Sequence, residues 1–154
     1  MQKRDENNSV IQNDQISRQT MTGAAHRPRL MIADDDPVVR AMLANSLGEE
    51  FEVVGVASDG EQAVELARTS QPDAALIDVE MPKGGGLGAV HGIVEGSRDT
   101  AIVVLSVDES DAAVRELMQA GATSYRRKGV APQVLAESLI ESINAHAAVR
   151  RQQS

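Results

Sequence analysis

Residues 74–86, AALIDVEMPKGGG, constrain this chain more than any other stretch. An apolar run, 74–77, stops on a single carboxylate, Asp78, and proline and glycine follow at once. A continuous apolar run cut off by turn residues predicts a strand buried on both faces. Strands of that kind belong to parallel sheets covered by helices on each side. Asp78 then stands at the carboxyl edge of the sheet, where open α/β sheets bind their ligands.

The chain alternates in the way such a sheet requires. Leu30, Met31, Ile32 and Ala33 form a first apolar run that ends in three carboxylates, Asp34, Asp35 and Asp36. Asp36 suits an N-cap and Pro37 a first helical position. Val39, Met42, Leu43, Ser46 and Leu47 share one helical face, and Gly48 stops the helix. Residues 51–57 predict the second strand. Ser58 and Glu61 read as a capping box for a helix through Arg68, with Ala63, Val64 and Ala67 inward. Pro72 precedes the third strand, and 87–94 predict a short helix weakened by Gly88 and Gly92. Residues 101–105 form the fourth strand, ending at Ser106. Ser110 caps a helix over 111–120, with Val114, Leu117 and Met118 inward and Gly121 as its stop. Residues 123–127 form a short fifth strand ending at Lys128, and the last helix runs over 132–148, with Leu135, Leu139, Ile143 and Ala147 on one face. Five strands alternating with five helices imply a parallel sheet with right-handed crossovers and helices on both faces.

Three segments follow. Residues 1–28 read as a disordered N-terminal tail, rich in Asn, Gln and charge. Residues 29–148 form one domain, and 149–154 a polar C-terminal tail. The absence of Cys excludes disulfides and thiolate metal sites. The longest apolar runs fall far short of the ~20 residues that cross a bilayer, and nothing resembles a signal peptide, so a cytoplasmic location and no membrane partner are expected. A formal net charge of −8 disfavours direct nucleic-acid binding, and Phe51 and Tyr125 are too few for a base-stacking platform.

The strand ends collect the chemistry: Asp34, Asp35 and Asp36 from the first, Asp78 from the third, Ser106 from the fourth, Lys128 from the fifth. Carboxylates held together repel by ~4 kcal/mol per pair at 4 Å and an effective dielectric near 20. A hard divalent cation with oxygen ligands neutralises them, and Mg²⁺ typically joins carboxylates to phosphate oxygens. A lysine and a hydroxyl beside it complete a cradle for a phosphoryl group. A carboxylate there can act as nucleophile and form an aspartyl phosphate. Each residue alone has a plainer explanation: a capped loop for the triple Asp, a turn for Ser106, a solvated end for Lys128. Their common edge is what sets them apart. His26, His91 and His146 fit no metal or triad spacing, and the glycines at 84–86 lack the Lys-Ser/Thr of a phosphate loop.

On these residues the chain resembles the receiver domain of bacterial two-component response regulators. The resemblance covers residues 29–148. IADDDP is similar to the family's acidic pair, LIDVEMP to its phosphoacceptor segment, and VVLSV and AGATSYRRK to its switch and lysine motifs. It implies a flavodoxin-like (βα)5 three-layer sandwich with strand order 2-1-3-4-5. It implies Asp78 as phosphoacceptor, with Mg²⁺ held by Asp35 and Asp78 directly, by Asp34 through water and by the Glu80 backbone carbonyl. Ser106, Lys128 and Tyr125 take the phosphoryl-binding and switch roles. The implied partners are a histidine kinase or phosphotransfer protein, and a homodimer or output protein at the surface of helix four, strand five and helix five. Phosphorylation and dephosphorylation would be self-catalysed, in a signalling module rather than an enzyme.

The chain departs from the family pattern in three places. Gly85 stands where an Asp is usual. Gly129 replaces a common Pro, so the Lys128–Gly129 peptide is expected to be trans. Arg126 and Arg127, with Arg115, are expected to make the strand-five surface basic. A phosphatase resembling the haloacid dehalogenases is the enzyme alternative, since Asp34-x-Asp36-x-Val38 fits its nucleophile motif, with Ser106 and Lys128 in its later motifs. It lacks the required late acidic pair, since residues 129–154 contain no Asp. A pseudo-receiver that is never phosphorylated is the binding-module alternative, which the complete acidic set disfavours.

Overall fold

The computed structural model describes residues 26–108 and 110–153. The tail expected over 1–28 lies outside them as far as residue 25. The elements run β1 (Arg29–Ala33), α1 (Pro37–Leu47), β2 (Glu52–Ala57), α2 (Gly60–Ser70), β3 (Ala74–Asp78), α3 (Gly85–Gly96), β4 (Ala101–Ser106), α4 (Asp111–Ala120), β5 (Ser124–Arg127) and α5 (Pro132–Gln153). The five strands pair in parallel in the order β2-β1-β3-β4-β5. This is the flavodoxin-like order, with its switch point between β1 and β3.

Alternation along the central strands feeds two cores. Leu30, Ile32 and Leu76 pack with Leu43, Leu47, Phe51, Leu135 and Leu139 from the α1 and α5 side. Met31, Ala33, Ala75 and Ile77 pack with Ala63, Ala67, Ala89, Ile93 and Leu117 from α2, α3 and α4. Burying each large aliphatic side chain contributes ~1.5–3 kcal/mol relative to exposure. Every residue of β3 and β4 is buried, as the unbroken apolar runs require.

Several local expectations shift. The α2 cap is Asp59, whose Oδ1 accepts from Gln62 N at 2.8 Å, while the Gln62 side chain reaches back to Ser58 N at 3.0 Å. The cap thus lies one residue later than Ser58, and the returning side chain is Gln62 rather than Glu61, reaching the residue before the cap. α3 begins at Gly85 and reaches Gly96, longer than 87–94. Packing overrides its poor propensity: a Cβ on Gly92 would lie 2.4 Å from Val64 Cγ2, so the missing side chain lets α3 close on α2. Met42 and Met118, expected inward, are 51% and 40% exposed. The buried stripes are narrower than the sequence faces, limited to Leu43 and Leu47 on α1 and Leu117 on α4. α5 runs on to Gln153, past the expected stop at 148. Its end is fastened by His146 Nε2 to Arg98 O at 2.8 Å and by the Arg150–Asp99 ion pair at 2.5 Å. At the other boundary Pro28 O accepts from Glu52 N at 2.8 Å, one residue before β1.

Arg126 also differs from expectation. It folds inward against α5, with Nε 2.6 Å from Ser138 Oγ and Nη1 2.9 Å from Tyr125 O. Ser124 and Ser142 hydroxyls meet at 3.0 Å beside it. Arg126 therefore joins a polar β5–α5 seam, and Arg127 is left as the exposed arginine of the strand. The chain has no cis peptide among the described residues, so Lys128–Gly129 is trans as expected.

Candidate functional site

The carboxyl ends of β1, β3, β4 and β5 bring the predicted residues together. Asp34 follows β1, Asp78 closes β3 and Ser106 closes β4; they are 2%, 1% and 1% exposed. One carboxylate oxygen each from Asp34, Asp35 and Asp78 lies within 4.8 Å of the others. The three consecutive aspartates divide their work. Asp34 Oδ1 accepts from Asp36 N at 2.9 Å, which turns the chain, and Asp36 Oδ1 accepts from Val38 N at 2.9 Å, which caps α1. Asp34 and Asp35 are left facing Asp78. None of the three histidines joins this cluster. The glycines at 84–86 open α3 rather than wrapping the cluster.

Asp78 is held from one side only. Its Oδ1 accepts from Lys128 Nζ at 2.8 Å and from Glu80 N at 3.0 Å. Its Oδ2 is buried and has no hydrogen-bond partner among the described residues. Burial raises the Asp78 carboxyl above its ordinary 3.8, and the Asp34 charge adds to this; Lys128 and the Glu80 N–H pull the other way. For Lys128 burial disfavours the charge, but the Asp78 and Glu80 carboxylates outweigh it and lift the ammonium above its ordinary 10.5. Burial weighs on both groups, but only at the fully covered Asp78 does it outweigh the attraction of its partners. Between pH 3.8 and the raised value, the folded chain keeps a proton the unfolded chain has lost. Stability in the absence of metal therefore falls as pH rises through that window.

The donor set suits a hard divalent cation. It consists of carboxylate oxygens, and Oδ2 of Asp78 is the buried atom such an ion would satisfy. A cleft of about 480 Å³ opens from these aspartates between α1 and the β5–α5 loop, floored by Val39, Leu43, Leu105 and Leu135.

The family model for the response regulator receiver domain matches residues 30–140. The chain belongs to the response regulator receiver family. The receiver is 36% identical over 113 residues to the response regulator GacA of Pseudomonas aeruginosa, covering 72% of this chain and 53% of that one. It is 40% identical over 107 residues to the transcriptional regulatory protein PdtaR of Mycobacterium tuberculosis, covering 69% and 52%. The chain thus spans about half the length of the curated relatives it matches. Among solved structures, the signal receiver domain of the putative response regulator NarL from Mycobacterium tuberculosis superposes with a TM-score of 0.73. That match is 26% identical and covers 77% of this chain and 98% of that one. The phosphatase and pseudo-receiver alternatives find no favour in these likenesses. Receiver domains are signalling domains that work with histidine kinases or phosphotransfer proteins and generally bind Mg²⁺ at an acidic pocket. No helix among the described residues is long and apolar enough to cross a membrane.

The remaining receiver residues are placed as follows. Ser106 Oγ accepts from Asp108 N at 3.1 Å, and the acceptors of its own hydrogen among the described residues are long, Asp108 O at 3.3 Å and Glu80 Oε2 at 3.4 Å. Tyr125 is half-buried against the core on the α3–α4 side. Sequence reasoning assigned only the Glu80 carbonyl and missed its carboxylate, which pairs with Lys128 at 3.2 Å. The available signal was an acid two positions after Asp78 at a strand end already crowded with charge.

Proposed function

We propose that this chain is a phosphoaccepting switch in which Asp78 takes a phosphoryl group from a histidine kinase or phosphotransfer protein. The observation that carries the reading is the buried Asp78 carboxylate: its Oδ2 is unpartnered among the described residues, and one of its oxygens lies within 4.8 Å of oxygens of Asp34 and Asp35. Mg²⁺, when bound by Asp34, Asp35, Asp78 and the Glu80 carbonyl, supplies charge neutralisation for the carboxylates and the incoming phosphoryl oxygens. Asp78 acts as nucleophile: its carboxylate oxygen forms a bond to phosphorus while the donor's phosphorus–nitrogen bond breaks and the imidazole leaves. Lys128 stays charged and accompanies the dianion. Water later attacks phosphorus, releases inorganic phosphate and restores the Asp78 carboxylate. The chain performs both steps on itself, with the donor as co-reactant. A phosphoryl oxygen gives the Ser106 hydroxyl a better acceptor than its present long contacts. The β4–α4 loop then moves inward, Tyr125 turns, and the α4–β5–α5 surface presents a new face to an output protein or a second copy.

Intact mass after incubation with acetyl phosphate and Mg²⁺ tests the reading. The expected result is a gain of one phosphate, and no gain would overturn it. A second expectation concerns the metal. Asp35→Asn should weaken Mg²⁺ binding at least about tenfold, the scale of losing one directly held carboxylate. Asp36→Asn should leave it nearly unchanged, because Asp36 is engaged as the α1 cap. Titration by amide NMR reads both, and equal losses would mean the acidic pair is assigned one residue out of register.

A further inference from the structure

The Glu80 side chain stands where the proposed reaction needs room. Its Oε1 lies 3.2 Å from Lys128 Nζ and its Oε2 lies 3.4 Å from Ser106 Oγ. Those are the two groups assigned to the phosphoryl oxygens. The backbone holds Glu80 in place, since its N–H donates to Asp78 Oδ1 at 3.0 Å. The carboxylate is 44% exposed, so it can swing outward without leaving a buried charge behind. A carboxylate and a phosphoryl group offer the same chemistry to a lysine and a hydroxyl: negative oxygens set a short distance apart. The residue also adds to a site where Asp34, Asp35 and Asp78 already outnumber Lys128.

We propose that the Glu80 carboxylate is a built-in competitor of the phosphoryl group, bridging Lys128 and Ser106 in the unphosphorylated chain and leaving both when Asp78 is phosphorylated. This rests on the phosphoacceptor reading above. Glu80 then restrains the switch in two ways. It pairs with Lys128 and stands 3.4 Å from the Ser106 hydroxyl beforehand, and its charge opposes the incoming dianion. The chain's resting state is thereby favoured over a state switched on by a weak donor.

Beryllofluoride, a phosphoryl mimic, tests this with the full chain at saturating Mg²⁺, so that altered metal affinity does not enter. Glu80→Gln keeps the size and removes the charge; Glu80→Ala removes the bridge as well. Both variants should bind beryllofluoride about three- to tenfold more tightly, the range for one like charge at a partly exposed position. Both should also gain the phosphate mass faster from acetyl phosphate. Thermal unfolding reports whether either variant is merely loosened, and a structural role alone would not tighten binding. Unchanged or weaker binding in either variant overturns the proposal, and weaker binding would mean that Glu80 instead positions Lys128. A parent chain that binds no beryllofluoride and gains no mass would instead remove the phosphoacceptor reading itself.

Discussion

Asp78→Asn is expected to take up no phosphate under conditions in which the parent chain is expected to gain one. The amide has the size of the carboxylate and fits the same cavity at the end of β3, where the side chain is fully buried. It lacks the anionic oxygen proposed to attack phosphorus, so the variant should keep the fold and lose the reaction. The neighbouring carboxylates do not substitute. Asp36 is tied to the first turn of α1, and Asp34 already accepts from Asp36 N. Intact mass with acetyl phosphate and Mg²⁺ is the measurement, backed by an amide spectrum showing that the variant is folded. A persistent gain in the folded variant would transfer the acceptor role to Asp34 or Asp35.

Gly86→Ala is expected to be the most damaging single methyl in the chain. A Cβ there would lie 2.4 Å from Val79 Cα and 3.1 Å from both Asp78 O and Val79 C. These are backbone atoms, so no rotamer change relieves the clash. The β3–α3 loop has to shift, and with it the hydrogen bond from Gly86 N to Val79 O at 2.9 Å. Overpacking of this kind costs about 1–3 kcal/mol. In a domain of this size that lowers the melting temperature by about 3–15 °C. Mg²⁺ affinity should fall too, because the displaced backbone adjoins Asp78. Gly88→Ala is the control on the same helix: a Cβ meets nothing within 4 Å. The helix there should gain from alanine's better propensity, by up to about 1 kcal/mol. Equal melting temperatures for the two variants would show that the loop yields freely.

The architecture was legible because four of its strands are short, mostly apolar runs that end at an aspartate or a serine: Asp34, Ser58, Asp78 and Ser106. That pattern places Asp34, Asp78, Ser106 and Lys128 at one edge without reference to any contact. Asp36 and Pro37 likewise mark the start of α1 by chemistry that acts within one turn. What stayed illegible depends on neighbours distant in sequence. Ser58 and Asp59 are both good caps, and only the β2–α2 geometry selects Asp59. Five glycines argue against a long α3, yet the approach of Val64 to Gly92 makes one worthwhile. Arg126 reads as a surface charge until Ser138 on α5 is seen opposite it. Glu80 reads as a loop acid until Lys128 arrives from β5.

The thin anchoring of α4 has a mechanical consequence. Leu117 is the one residue of this helix that is fully covered, whereas β1 and β3 are gripped on both faces. In the proposed switch the doubly covered sheet serves as the stiff frame and the thinly anchored α4 as the part that yields, following Ser106 at the end of β4. Load applied at Asp78 meets little compliance in the frame and is relieved where resistance is lowest. The proposed switch would therefore need little work to move α4, and would lose little of the energy of an acyl phosphate in deforming the sheet that holds it.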